Sequence, residues 1–136
     1  MRQQLVWFVM ALAGCTSMPE AAPSARVTGT VGYLQRIALL PSAQVKVQLV
    51  DVSRADAPAV VIAEQSFVTE GRQPPFAFEL AYDPARIDAR HTYAVQARIE
   101  GEGKLLFVSD KRYSVITGDA PSHVDVVLRT VGDGTR

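Results

Sequence analysis

The sequence is poor in the residues that most often carry chemistry or crosslinks. Its 136 residues include one cysteine and two histidines, and 14 basic side chains are balanced by 14 acidic ones. One cysteine cannot form an intrachain disulfide, and structural zinc sites usually need several thiolates or imidazoles together. The charges are also scattered, so no basic stripe is present to hold a phosphate backbone, and we expect no nucleic-acid partner.

Catalytic and cofactor motifs are missing as well. The two imidazoles, His91 and His123, are far apart in the chain and have no acidic or imidazole partner at a ligand spacing on a helix. No Gly-x-Ser-x-Gly elbow occurs, and the glycines form no phosphate-binding loop ahead of a helix. We therefore predict a protein that is not an enzyme, with no catalytic residues, no metal, no cofactor and no small-molecule substrate.

The first fourteen residues have the features of a secretory signal peptide. A short, positively charged start precedes the apolar run Leu5–Leu12, which is followed by the small residues Ala13 and Gly14. This run is far shorter than the roughly 18–20 residues that a membrane-spanning helix requires. We interpret residues 1–14 as a signal peptide rather than as a permanent anchor.

Cys15 follows this segment directly. The tetrad Leu-Ala-Gly-Cys at residues 12–15 resembles a bacterial lipobox, which implies a diacylglycerol on the Cys15 thiol, cleavage before Cys15 and an acyl chain on the new amino group. The alternative is a buried structural cysteine, but such a cysteine has no reason to follow an apolar signal segment. Two or three acyl chains give stable anchoring. The residue after Cys15 is Thr16, whereas aspartate at this position would signal retention in the inner membrane. The resemblance therefore implies that the protein is sent to the outer membrane, where it faces the periplasm.

The mature chain divides into a tether, one domain and a short tail. Residues 15–25 carry two prolines and many small residues and cannot bury enough surface to fold, so we expect them to tether the domain to the lipid. Residues 26–131 form the domain, because 48% of the sequence is hydrophobic and the length suits a single core. Residues 132–136 are expected to be a flexible tail.

Within the domain, apolar residues alternate with period two, as in half-buried strands. Val45, Val47 and Leu49, for example, oppose Gln44, Lys46 and Gln48. Turn residues separate such segments. The pattern predicts strands at 27–33, 44–52, 60–68, 76–82, 91–99, 104–109, 113–117 and 122–130.

Seven to eight strands with almost no helix predict an all-β fold, specifically an antiparallel β-sandwich of immunoglobulin-like or transthyretin-like type. Asp83 and Pro84 are suited to begin one helical turn before the strand that contains Tyr93. Tyr93 resembles the tyrosine corner of immunoglobulin-like sandwiches. The alternative is that Tyr93 is simply a core residue.

Two segments carry more apolar residues than this fold needs, and both are candidates for binding a partner. One is a strand with apolar residues of both parities, and the other is the loop after the first strand. The candidates are Leu105, Leu106, Phe107 and Val108 in the strand, and Leu34, Ile37, Leu39 and Leu40 in the loop. They either pack inward or form an exposed apolar patch. Alternation does not decide whether Leu106 and Val108 or Leu105 and Phe107 form the outer face.

The lipobox, the tether and three sequence stretches resemble the YbaY/YscW family of bacterial lipoproteins, over about residues 26–131. The stretches are Val27–Val31, Thr92–Ile99 and Gly103–Asp110. The resemblance implies a pilotin of a type III secretion system, which binds the C-terminal segment of a secretin and carries it to the outer membrane. The alternative is an envelope lipoprotein with a structural or stress role outside any secretion system.

Overall fold

The computed structural model describes Gly14 and residues 25–131. The rest of the predicted signal peptide, the predicted lipid acceptor Cys15, the predicted tether up to residue 24 and the predicted tail at 132–136 lie outside the described residues. Within the described part of the chain, no helix is long and apolar enough to cross a membrane.

Residues 25–131 form eight strands and one short 3-10 turn, as the alternation predicts. The strands are β1 (Ala25–Tyr33), β2 (Gln44–Asp51), β3 (Val60–Val68), β4 (Phe76–Tyr82), β5 (Tyr93–Gly101), β6 (Lys104–Ser109), β7 (Tyr113–Val115) and β8 (His123–Thr130), with the turn at Pro84–Arg86. Each bound lies within two residues of its prediction. The all-β class is therefore confirmed.

The arrangement of these strands corrects the predicted sandwich. All eight belong to one sheet in the order β3-β2-β5-β6-β8-β1-β4, with β7 paired to β5 beside β6. The sheet curls until β3 and β4 face each other, which makes it nearly closed and barrel-like. The sheet is also not wholly antiparallel, because β1 and β8 run in the same direction. The hydrogen bonds do not divide the strands into two sheets, as an immunoglobulin-like sandwich would require.

The pairing of β1 with β8 depends on a close approach at Gly29. Gly29 lies opposite Val124 on β8 and opposite Phe78 on β4. A Cβ atom at residue 29 would lie 1.7 Å from the carbonyl oxygen of Val124. Only glycine allows the two backbones to come this close.

The edges of β3 and β4 meet without backbone pairing, and side chains join them instead. The Gln65 side-chain oxygen accepts a hydrogen bond from the Glu79 backbone N–H at 2.9 Å, and Arg86 donates to the Ile62 carbonyl at 3.1 Å. The rings of Phe67 and Phe76 meet edge to face, with centroids 6.0 Å apart. These contacts satisfy polar groups that a sheet edge leaves open.

The core fills the space that the curled sheet encloses. Its buried side chains come from every strand except β3, which adds the partly buried Ile62, Ala63 and Phe67, because alternate residues of a strand point inward. The largest fully buried side chains include Tyr93, Leu49, Leu80, Ile99 and Leu128.

Tyr93 makes the corner hydrogen bonds that its position suggests. Its hydroxyl accepts from the Asp88 N–H at 2.9 Å and donates to the Arg86 carbonyl at 3.5 Å. Asp83 caps the turn before it by accepting from the Ala85 N–H at 2.9 Å. Tyr93 is thus a core residue, and its hydroxyl also holds the connection from β4 to β5 in place.

We predict that Gly29→Ala destabilises the protein by at least about 2 kcal/mol, because backbone rather than a flexible side chain blocks the new methyl group. The matched control on the same strand is Gly32→Ala, whose new Cβ would meet its nearest neighbour at 3.8 Å. That change should leave stability within about 1 kcal/mol of wild type. Chemical denaturation measures both. Equal midpoints for the two variants would contradict the role of Gly29.

We predict that Tyr93→Phe costs about 0.5–1.5 kcal/mol, because it keeps the ring but removes the hydroxyl that the Asp88 N–H requires. The fold should persist, with an unchanged circular dichroism spectrum and a lower denaturation midpoint. An unchanged midpoint would indicate that Tyr93 acts through packing alone.

Candidate partner-binding surface

The strand directions define two ends of the curled sheet. At the near end, β1 begins at Ala25 beside Tyr82. At the far end lie the β1–β2 loop (34–43), the β3–β4 connection (69–75), the β5–β6 turn and the end of β8. The two candidate apolar segments, the loop after β1 and the start of β6, both belong to the far end.

The β1–β2 loop divides its apolar residues between the core and the surface. Leu39 is 6% exposed and belongs to the core, whereas Leu34 is 85% exposed. Ile37 and Leu40 are about half exposed. Three of the four loop candidates therefore present apolar side chains outward, and Leu39 is a structural residue.

This loop is held in place by side chains at both of its ends. The Tyr33 ring stacks on Phe107, with centroids 4.2 Å apart, and its hydroxyl donates to the Ile37 carbonyl at 2.5 Å. Burial raises the pKa of the Tyr33 hydroxyl, which remains a donor. At the other end, the Thr69 hydroxyl donates to the Leu40 carbonyl at 2.9 Å. The exposed side chains are thus presented by a fixed backbone.

Two open grooves flank Leu34. One, of about 380 Å³, lies between Leu34 and the residues Val127–Thr130 at the end of β8. The other, of about 570 Å³, lies on the side of Ile37 and Pro74. Leu34 is therefore a ridge between two depressions.

The candidates on β6 do not follow simple alternation. Ile99 pairs with Phe107 but Glu100 pairs with Leu105, so Leu106 is the extra residue of a β-bulge. Phe107 is 3% exposed in the core, and Leu106 packs partly buried against it. Leu105 is 41% exposed, and Val108 lines a small outer depression beside Arg98.

Because of this bulge, Leu106 and Val108 do not lie on one face of the sheet, and neither do Leu105 and Phe107. Each pair combines one residue in contact with the core and one on the outside. The bulge also explains the four consecutive apolar residues, because it turns two neighbours toward the core. Among the β6 candidates, Leu105 and Val108 remain available at the surface.

Several exposed apolar residues near the far end are not among the partner-binding residues predicted from the sequence. They are Val68, Val127 and Val131, each 40–46% exposed. Val127 sits between Val126 and Leu128, so three apolar residues in a row gave the same signal as β6. The exposed Val60 and Val61 lie instead at the near end, at the start of β3.

A polar network at the near end brings together residues that the sequence separates. Asp51 contacts His91 at 2.7 Å and accepts hydrogen bonds from the backbone and side chain of Ser53 at 2.9 and 2.5 Å. Burial acts to raise the pKa of Asp51, but these hydrogen bonds and His91 outweigh it and hold the pKa below its usual range. The Thr117 hydroxyl donates to the His91 carbonyl at 2.7 Å.

The network joins the segments that follow β2 and β7 to the start of β5. The Ser53 hydroxyl donates to Asp51, and no hydrogen bond joins Ser53 to His91 among the described residues. No group of three or more potential metal ligands occurs in the described part of the chain.

The comparisons with known proteins agree with the architecture. A model of the type III secretion system lipoprotein chaperone family, YscW, matches residues 22–128. The uncharacterised lipoprotein YbaY of Escherichia coli (strain K12) is 41% identical over 90 residues, which are 66% of this chain and 47% of YbaY. The chain thus aligns with about half the length of this curated relative.

A solved structure extends the similarity across the domain. The structure of an alternative pilotin from the type II secretion system of Vibrio cholerae superimposes with a TM-score of 0.78 at 52% sequence identity. The match covers 80% of this chain and 98% of that one. These findings place the chain among small bacterial lipoproteins with a β-sheet domain. The chain belongs to the YscW lipoprotein chaperone family.

We predict that Leu105→Asp with Val108→Asp leaves the domain folded, because both side chains reach solvent, whereas Phe107→Asp unfolds it by burying a charge. Circular dichroism and thermal unfolding compare the two proteins. If the double variant unfolds like Phe107→Asp, the outer face of β6 is structural and does not present a surface.

Proposed function

We propose that this protein is a non-enzymatic lipoprotein of the outer membrane that acts as a pilotin, binding the C-terminal segment of a secretin and delivering it to the membrane. The observation that carries the proposal is the 52% identity to a pilotin structure that is covered almost completely. Family membership supports the same role. The similarity extends to the sequence and not only to the fold, and a shared fold alone would not indicate a shared function.

The proposed mechanism needs an anchor, a tether and a binding surface. Acyl chains on Cys15 supply stable membrane attachment. The ten residues Thr16–Ala25 reach at most about 35 Å when extended. The exposed apolar residues of the far end supply the binding surface and shield an aggregation-prone segment during transfer.

The secretion system is part of the proposal. The resemblance to YscW implies a type III secretin, and this stays a prediction. The similarity to the Vibrio cholerae protein favours a type II secretin. Following both kinds of secretin in one cell separates these two partners.

A second candidate function is an envelope role outside any secretion system. The similarity to YbaY of Escherichia coli favours it, since that protein is described as a lipoprotein without a stated partner. In this case, loss of the protein would leave every secretin correctly placed.

We predict that Cys15→Ser abolishes incorporation of labelled palmitate, because only a thiol accepts the diacylglycerol. Secretin multimers should then disappear from the outer-membrane fraction of a density gradient. Ser17→Ala, which leaves the lipobox intact, is the control and should behave as wild type.

The possible failures of this experiment have different meanings. Wild-type palmitate labelling of Cys15→Ser would refute the lipoprotein assignment. Normal secretin multimers in a cell that lacks the protein would refute the pilotin role and support the envelope role. Recovery of the wild-type protein in the inner membrane would refute the assigned location.

A further inference from the structure

Leu34 and its neighbours form the far-end surface with the strongest indications of a bound partner. We call it the Leu34 surface and define it by Leu34, Gln35, Arg36, Ile37, Lys111 and Val127. A single exposed leucine is ordinary in a soluble domain. Leu34, however, is 85% exposed beside two further exposed apolar side chains and separates two grooves.

The backbone of this surface is held by contacts with the rest of the domain. Stacking of Tyr33 on Phe107 and burial of Leu39 hold the loop from below. A surface that is already ordered loses little conformational entropy when a partner binds. This property separates the Leu34 surface from a loosely packed loop with the same composition.

The charges around Leu34 indicate the charge of the partner. Arg36 lines one groove and Lys111 lines the other, and neither makes an ion pair with any described residue. Among the described residues that line the two grooves, the single acid is Asp110, and it pairs with Arg129 at 2.8 Å. The rim is therefore basic, and an acidic partner complements it.

Gln35 lines both grooves beside Leu34. Its side-chain oxygen is buried but has no hydrogen-bond partner among the described residues. This atom is closed to solvent, so a bound segment could reach it only if the loop moved, and it adds nothing to the binding surface. The surface thus combines exposed apolar side chains with two positive charges.

We propose that the Leu34 surface binds an apolar segment that carries acidic residues, contributed by the secretin. The inference rests on the proposed function and specifies its binding surface and the chemistry of the ligand. A second copy of this chain fits less well, because a two-fold interface would bring identical basic rims together.

The test measures binding of the full-length lipoprotein, purified in detergent, to overlapping fluorescent peptides that cover the C-terminal region of the secretin. Leu34→Asp should weaken the tightest peptide about thirtyfold or more, as expected for the loss of a central apolar anchor. Val60→Asp is the matched control, because Val60 is 58% exposed but lies at the near end. It should bind as wild type.

A second pair of measurements tests the charges. Arg36→Glu with Lys111→Glu should weaken binding roughly tenfold at low salt, and the difference should nearly vanish near 1 M salt, where such charges are screened. Replacing the acidic residues of the peptide by their amides should have the same effect on the wild-type protein.

The outcomes distinguish the inference from the proposed function. If the wild type binds no secretin peptide, the proposed function fails. If the wild type binds and Leu34→Asp binds equally well, the pilotin role stands and the Leu34 surface is overturned. A Leu34→Asp variant that loses self-association instead of peptide binding would identify the surface as a contact between copies and would also overturn the inference.

Discussion

The parallel ladder between β1 and β8 joins the first and last strands of the domain, and the proposed binding surface depends on it. Both strands run toward the far end, so the loop that leaves β1 at Leu34 emerges beside Val127–Thr130 of β8. Gly29 permits this pairing, because a side chain there would collide with the Val124 carbonyl. A residue deep in the sheet thus determines whether two distant segments can form one surface.

Side chains complete the sheet where strands separate. Gln65 bridges the gap between β3 and β4. The Tyr113 hydroxyl plays a comparable part beside β8, where it accepts from the Val127 N–H at 3.0 Å and donates to the Val127 carbonyl at 3.2 Å. Each such contact pairs a backbone group that lies at the surface, where a hydrogen bond contributes about 0.5–1.5 kcal/mol at most. A nearly closed sheet therefore needs polar side chains at a few specific positions of its wall.

Period-two alternation predicted all eight strands because it records which residues point inward. It contains no information on which strands are neighbours, so the pairing of β1 with β8 and the single curled sheet could not be derived from it. The bulge at Leu106 was hidden for a related reason, since a bulge changes the parity that alternation assumes. The role of Asp51 beside His91 was also beyond sequence reasoning, because the two residues meet only through the fold.

The candidate surface was predictable in part. Excess apolar residues drew attention to the loop after β1, but a loop has no period, so composition could not separate the buried Leu39 from the exposed Leu34. Packing made that division, since Leu39 fills the far end of the core and the stacked Tyr33 fixes the turn before it. The exposed side chains of this loop all lie at the far end. In the proposed mechanism, the anchor is attached at the near end while the partner is held at the far end. Membrane attachment and partner binding then occupy opposite ends of the domain, so neither has to be released for the other to operate.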